Sequence, residues 1–344
     1  MNVIYPIFLP HAGCPFHCVY CNQRAVTSIP SHAGTPTGIL SSFRRQFTGI
    51  LEYAQGKGNP GEVAFYGGTF TALPSEIVDT MLKSVTPWVE KGVFTGIRLS
   101  TRPDCITQDV CTLLMEYPVK TIELGVQSLT HDVLIRSRRG YCVETVENAA
   151  ALVHQHGWQL GLQLMPGLPG DSRTRFMDTI AGTVRLHPRF VRIYPTLVLA
   201  GTLLADWYHT GAFSPLSLEE AISWCAQAFD VLFQEHIPVA RLGLHPDQEL
   251  RRPGTVLAGP HHPAFGYLVR VRWWRDRVDR CVLSHLGLTQ GRGLTLRVPD
   301  RSLSELLGPA KSNVEYWKEK WRFKDIRIEP HEGKAPGLFD CLLR

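Results

Sequence analysis

Over roughly the first 200 residues, short apolar runs that stop at glycine or proline alternate with longer stretches whose apolar side chains recur every three or four positions. The runs are Val3 to Leu9, Glu62 to Tyr66 ahead of Gly67-Gly68, Ile97 to Ser100 ahead of Arg102-Pro103, Thr121 to Val126, Trp158 to Leu164 ahead of the Met165 to Gly170 turn, and Phe190 to Tyr194. Helical spacing covers Ser41 to Tyr53, Ser75 to Val89, Thr107 to Glu116, Val143 to His156 and Thr174 to Leu186. Apolar runs this short suit buried strands. Strands that alternate with helices of this length predict parallel βα units and an α/β barrel.

Past Thr196 the pattern loosens. A helix is expected from Leu218 to Glu235, then a strand from Pro238 to Leu244 that flanks the barrel. Farther on, strands at Leu294 to Val298 and Ile326 to Ile328 mix with helices at Ser302 to Leu307 and Ser312 to Trp321. That reads as a small C-terminal α+β appendage, so the division expected is 1–240 for the barrel and 241–344 for the appendage. Within it, Val269, Val271 and Trp273 alternate with Arg270, Arg272 and Trp274, which predicts a half-buried strand. The competing reading of this run of arginines with tryptophans is a stacking surface for single-stranded nucleic acid.

A chain of 344 residues has room for one barrel and a smaller unit. No apolar run is long enough for a membrane span, and the first residues, with no basic segment and with Pro6 and Pro10 interrupting the apolar run, read as a buried strand and not a signal peptide. Nine cysteines without an export signal point to a reducing, cytoplasmic setting. A net charge of +5 permits an anionic partner without requiring one.

Three of the cysteines stand together, Cys14, Cys18 and Cys21, in the spacing CxxxCxxC just after the first apolar run. Three thiolates can hold three corners of a [4Fe-4S] cube and leave the fourth iron open to another ligand. Zinc is the competing occupant, but a structural zinc site takes four ligands, usually as two paired half-sites, and no second CxxC occurs. The other six cysteines, Cys105, Cys111, Cys142, Cys225, Cys281 and Cys341, are scattered and read as small buried hydrophobes.

The triplet, with Tyr20 before its third cysteine, resembles the signature of the radical S-adenosylmethionine (SAM) superfamily. The resemblance implies a partial (β/α)6 TIM-like barrel, a [4Fe-4S] cluster on Cys14, Cys18 and Cys21, and SAM chelating the open iron. It implies an electron donor of the flavodoxin or ferredoxin type. Gly67, Gly68 and Thr69 after the second strand are then expected near the SAM amino group, and Gln127 and Arg139 at SAM as well, the arginine on its carboxylate. Gln163 falls where some relatives have an aspartate on the ribose hydroxyls. The cysteines, Gly67-Gly68, Arg102, Gln127 and Gln163 all lie at or just past strand ends, where α/β barrels carry their sites.

Two longer stretches narrow the resemblance to the catalytic subunit of elongator, a tRNA-modifying enzyme. They are Phe65 to Thr71 with Leu99 to Asp104, which brings in Ser100 and Arg102, and Ile193 to Val198 with Gly201-Thr202 and Trp207. Arg192 falls where elongator relatives have a lysine, facing SAM or substrate. Elongator's subunit has a longer gap between its first two cysteines and an acetyltransferase domain for which the remaining residues are too few, so acetyl-CoA is not expected. The resemblance covers about residues 1 to 240. The function expected is a radical SAM enzyme acting in tRNA modification, with no membrane partner. The alternatives are a small-molecule substrate, or a non-catalytic metal-containing RNA-binding module. No side chain is assigned as a catalytic acid, base or radical partner.

Overall fold

The computed structural model describes residues 3–23, 35–244, 250–284, 291–331 and 337–344. Seven strands form one all-parallel sheet: β1 (Val3–Phe8), β2 (Gly61–Tyr66), β3 (Gly96–Thr101), β4 (Val119–Gln127), β5 (Gln159–Leu164), β6 (Phe190–Ile193) and, after the short β7 (Val198–Leu199), β8 (Val239–Leu242). The spatial order is β1-β2-β3-β4-β5-β6-β8, with β1 and β8 at opposite edges. The barrel is therefore partial, as expected, and Val239–Leu242 is its seventh strand. β7 pairs antiparallel with β9 (Val256–Ala258).

The crossovers are α1 (Pro36–Lys57), α2 (Ser75–Glu90), α3 (Gln108–Leu114), α4 (His131–Arg136) with α5 (Val143–Gln155), and α6 (Arg173–Arg185); α7 (Leu203–His209) and α8 (Leu218–Gln234) follow. Their ends are set by local chemistry. Thr35 caps α1 by accepting from the Gly38 amide, Pro36 occupies the first turn, and Gly58 closes the far end with φ +58°. α4 and α7 lacked a sequence signal because each spans under two turns.

Strand alternation divides the sheet into two faces. Val63, Phe65, Ile97, Leu99, Ile122 and Leu124 are at most 1% exposed, each worth about 1.5–3 kcal/mol of burial. The opposite face, including Tyr66, Arg98, Ser100, Glu123, Gln163 and Arg192, lines a cavity.

The chain divides into two compact units, residues 1–221 with 232–261, and residues 222–231 with 262–344. In the second, β10 (Gly293–Val298) lies between β11 (Asp325–Pro330), to which it is parallel, and β12 (Asp340–Leu343), to which it is antiparallel. Helices α9 (Phe265–Ser284), α10 (Leu303–Leu307) and α11 (Ser312–Trp321) complete it. The buried Asn313 amide donates to the Val271 and Leu306 carbonyls at 3.0 and 2.9 Å, tying the three helices together.

The strand expected around Arg270 to Arg277 is instead the middle of the 20-residue α9. Five alternating positions fit a strand, but over the longer stretch Phe265, Val269, Trp273 or Trp274, Val278 and Val282 recur at helical spacing and all are buried. Trp273 donates to Asp230 at 2.7 Å and Trp274 is fully buried, so neither ring is available to stack on a base. Of the six scattered cysteines only Cys111 and Cys225 are buried; the others are half-buried. Trp274→Ala is expected to destabilise the second unit by about 3–5 kcal/mol, seen as an earlier denaturant transition by far-UV circular dichroism. A loss under about 1 kcal/mol would contradict the packing of α9 described here.

Candidate active site

The loop after β1 is shaped by backbone contacts before any side chain is considered. Leu9 donates to the Tyr66 carbonyl at 2.7 Å, continuing the strand pairing, and Thr69 donates to the Ala12 carbonyl at 2.8 Å. The loop thus lies directly on the Gly67-Gly68 turn. A Cβ on Gly68 would stand 2.1 Å from the Ala12 oxygen, and Gly67 and Gly68 have φ of +80° and +67°. Glycine is required here by the approach of two backbones as well as by the turn. The Gly68 amide donates to Gln23 Oε1 at 2.7 Å, and Val19 donates to the Ser137 carbonyl at 3.3 Å. Val19 and Tyr20 sit in an apolar cluster with Val133, Leu168, Val198 and Leu204, against which Trp207 packs, so Trp207 supports the loop from behind.

Cys14, Cys18 and Cys21 face a cavity of about 940 Å³. They are free thiols. Cys14 Sγ lies 3.4 Å from the Thr69 hydroxyl. Burial, then the neighbouring Cys18 and Cys14, pushes the Cys21 thiol up to about 12. Among the described residues no three His, Cys, Asp or Glu side chains gather tightly enough for a single metal ion. A cubane asks for a different arrangement, three thiolates on three separate irons and so spread around a shared space. Iron would also relieve the crowding of buried thiolates that raises their pKa. The donor set fits a cluster better than it fits zinc.

Every site residue expected from the sequence lines this cavity: Cys14, Cys18, Cys21, Tyr20, Gly67, Gly68, Thr69, Ser100, Arg102, Gln127, Arg139, Gln163 and Arg192. Gln127 ends β4 at a register shift and has φ +70°, a strained conformation for a side-chain-bearing residue of the kind found at functional sites. Gln163 donates to Gln127 Oε1 at 3.4 Å. Arg102 clasps Asp104 through two bonds of 2.9 and 2.8 Å and lies 4.9 Å over the Phe16 ring.

Arg139, expected free for a carboxylate, is buried and fully engaged. Its guanidinium donates to Cys18 Sγ at 3.0 Å, the Tyr20 hydroxyl at 3.1 Å, the Gly125 carbonyl, and twice to the Tyr141 hydroxyl. Its donors make five hydrogen bonds to four acceptors, so an anion at this position has to share or displace a protein partner. Arg192 is also engaged: it donates to Glu123 at 2.8 Å and to the Tyr66 hydroxyl at 2.9 Å.

Sequence reasoning missed the partners of Arg192. Glu123 also receives Arg98 at 2.9 Å and the Tyr66 hydroxyl at 2.8 Å, and Arg98 in turn donates to Glu62 at 3.0 Å. Two carboxylates and two guanidiniums thus alternate along the cavity wall. The available signal was a charge within each of four largely apolar strands, at Glu62, Arg98, Glu123 and Arg192. A charge at such a position faces a neighbour of opposite sign or a polar lumen.

The profile of the Radical SAM superfamily matches residues 8–181, half of the chain, and that of the Radical_SAM C-terminal domain matches 188–275. The chain belongs to the radical SAM superfamily. It is accordingly an enzyme of a family that uses a [4Fe-4S] cluster and SAM. It is similar to a tRNA uridine(34) acetyltransferase of Methanocaldococcus infernus, 27% identical over 66% of this chain and 48% of that protein. It is also similar to Elongator complex protein 3 of Saccharomyces cerevisiae, 27% identical over 61% of this chain and 44% of that protein. The chain thus spans about half the length of these relatives. Among solved structures, Methanocaldococcus infernus Elp3 with an N-terminal deletion superposes with a TM-score of 0.62 at 21% identity, over 80% of this chain and 64% of that one, which bears on the fold. No helix of the described residues is long and apolar enough to cross a membrane.

Two outcomes follow from this geometry. Gly68→Ala is expected to displace the cysteine loop, so that anaerobic reconstitution incorporates far less iron and sulfide while far-UV circular dichroism is retained; full incorporation would refute the backbone contact as the organising one. Glu123→Gln leaves Arg98 and Arg192 short of a buried anion and is expected to cost about 3–5 kcal/mol, read from denaturant melts against Glu123→Asp as the milder control.

Proposed function

We propose that this chain generates a 5'-deoxyadenosyl radical to modify RNA. The observation that carries the reading is convergence: thiols after β1, glycines after β2, Arg102 after β3, Gln127 and Arg139 after β4 and Gln163 on β5 meet at one cavity. A merely structural metal site would not need the two glutamines or Arg102 gathered at the same cavity. The cluster and SAM would supply reductive cleavage of the SAM carbon–sulfur bond, with the electron delivered by a donor of the flavodoxin or ferredoxin type. Cys14, Cys18 and Cys21 would hold the cluster. Gly67, Gly68 and Thr69 would bring backbone acceptors to the SAM amino group, and Gln127 and Gln163 would hydrogen-bond its ribose hydroxyls.

Arg139 and Arg102 place positive charge beside Cys18, where thiolate charge needs compensation. Ser100 and Arg192 belong to the wall deeper in the cavity. That wall is polar yet internally neutralised, because its two glutamates are bound by two arginines. A reactive group released there faces hydrogen-bonded, pre-oriented side chains in place of bulk water. RNA is favoured as substrate by the relatives whose names specify tRNA uridine(34), and a cytoplasmic setting goes with it.

Anaerobically reconstituted protein, given dithionite and SAM, is expected to form 5'-deoxyadenosine, and Cys18→Ala to abolish it. A bound cluster that never cleaves SAM would refute the radical reading. Transfer RNA should bind with an affinity that falls steeply with salt, measured by filter binding across an ionic-strength series. Affinity indifferent to salt would remove RNA and leave a small-molecule substrate.

A further inference from the structure

The charges of the cavity do not balance at one place. Glu62 and Glu123 are matched by Arg98 and Arg192, and Arg102 is matched by Asp104. Arg139 has no carboxylate, but its five donors are taken by neutral acceptors and a thiol. Arg241 is different. It lines the same cavity, it is half-buried, and its one hydrogen bond goes to the Gly243 carbonyl at 3.3 Å. Among the described residues the other four of its five donors have no protein acceptor.

Its position is costly unless something offsets it. Arg241 is the register partner of Arg192 on the adjacent strand, and like charges directly opposed on neighbouring strands are destabilising. Arg192 is neutralised by Glu123, which leaves Arg241 and the exposed Arg189, just before β6, as the cations of this wall that no carboxylate matches among the described residues. The backbone takes trouble to put Arg241 there. The pairing of β6 with β8 shifts register between Val191 and Arg192, giving β8 one extra residue, and as a result Ala240 and Arg241 in succession both line the cavity. A bulge beside a site commonly re-aims a side chain in this way. Tyr194, half-buried next to Arg192 and within the field of Arg241, adds a hydroxyl to the same corner.

We propose that Arg241 anchors an anion subsite at the open edge of the half-barrel, opposite the cysteine loop, and that the group it takes is a phosphate of the substrate. A planar guanidinium with its fork unoccupied suits a phosphate's paired oxygens. The proposal rests on the radical SAM reading for the direction from which substrate arrives. With RNA as substrate the phosphate is a backbone phosphate flanking the modified nucleoside; with a small molecule it is that molecule's own.

The test uses the reconstituted full chain with SAM bound, and dissociation constants for uridine, uridine 5'-monophosphate and inorganic phosphate measured by anaerobic calorimetry. Wild type is expected to bind the nucleotide about tenfold or more tighter than the nucleoside, Arg241→Gln to erase that ratio, and Arg241→Lys to retain part of it. Iron content and circular dichroism establish that each variant is folded and loaded. A ratio kept in Arg241→Gln overturns the proposal, as does a loss of SAM affinity equal to the loss for the nucleotide, which would make Arg241 a SAM ligand. If phosphate binds wild type and not Arg241→Gln while uridine adds nothing, the subsite stands and the substrate is a phosphorylated metabolite and not RNA. Failure of wild type to form 5'-deoxyadenosine would fall on the radical reading alone, since the phosphate measurement is read without turnover.

Discussion

The candidate site depends on one close approach, the Ala12 carbonyl resting on the Gly67-Gly68 turn. Everything placed by the loop after β1 follows from it. The contact sets the height of Cys14 above Thr69, and the remainder of the loop is then tied by Gln23 to the Gly68 amide and by Val19 to the end of α4. A methyl group on Gly68 would be larger than the gap allows. The proposed use of the turn by SAM and its observed use by the loop would place the same demand on the same residue.

A full barrel fills its interior with packed side chains. This one leaves its sheet open between β1 and β8, and its wide lumen carries charged side chains on one wall. The polarity is affordable because the charges are arranged in a chain, Glu62 to Arg98 to Glu123 to Arg192, in which every group has an opposite neighbour at hydrogen-bond distance. Such a chain holds four side chains in fixed rotamers without an apolar core around them. Among the described residues the positive charge without a carboxylate partner lies at Arg139, beside the thiols, and at Arg241 and the exposed Arg189, at the far edge. The electrostatics of the cavity thus has two poles, and the neutral wall separates them.

The second unit presents a different use of charge. The whole chain has a net charge of +5, but in this unit the arginines of α9 are largely spoken for, by Glu305, Asp276, Asn313 and Asp230. Its tryptophans fill the interior, not a surface. The alternation of Arg and Trp that suggested a strand or a base-stacking platform is the outer and inner faces of one long helix. Five residues are too short a window to distinguish periods of 2 and 3.6, and the buried positions on either side were what decided it.

The order of strands and helices was legible in the sequence because burial forces a period on each element, and the partial barrel and the set of site residues were what the family resemblance implied. Most of the expected site residues reached the cavity because they lie at or just past strand ends, which chain direction puts at one end of a parallel sheet, or at inward-facing positions of the strands; Arg139 arrives from beyond α4. What each side chain does there was decided only by the tertiary structure. Arg139 and Arg241 are the same residue type, yet one has every donor bound and the other almost none, and that difference comes from neighbours more than 12 residues away in each case except Tyr141 and Gly243. The extra residue that turns Arg241 inward is likewise a property of how two strands pair. A hydrogen bond and a register shift belong to two segments at once, which is why neither could be read from one.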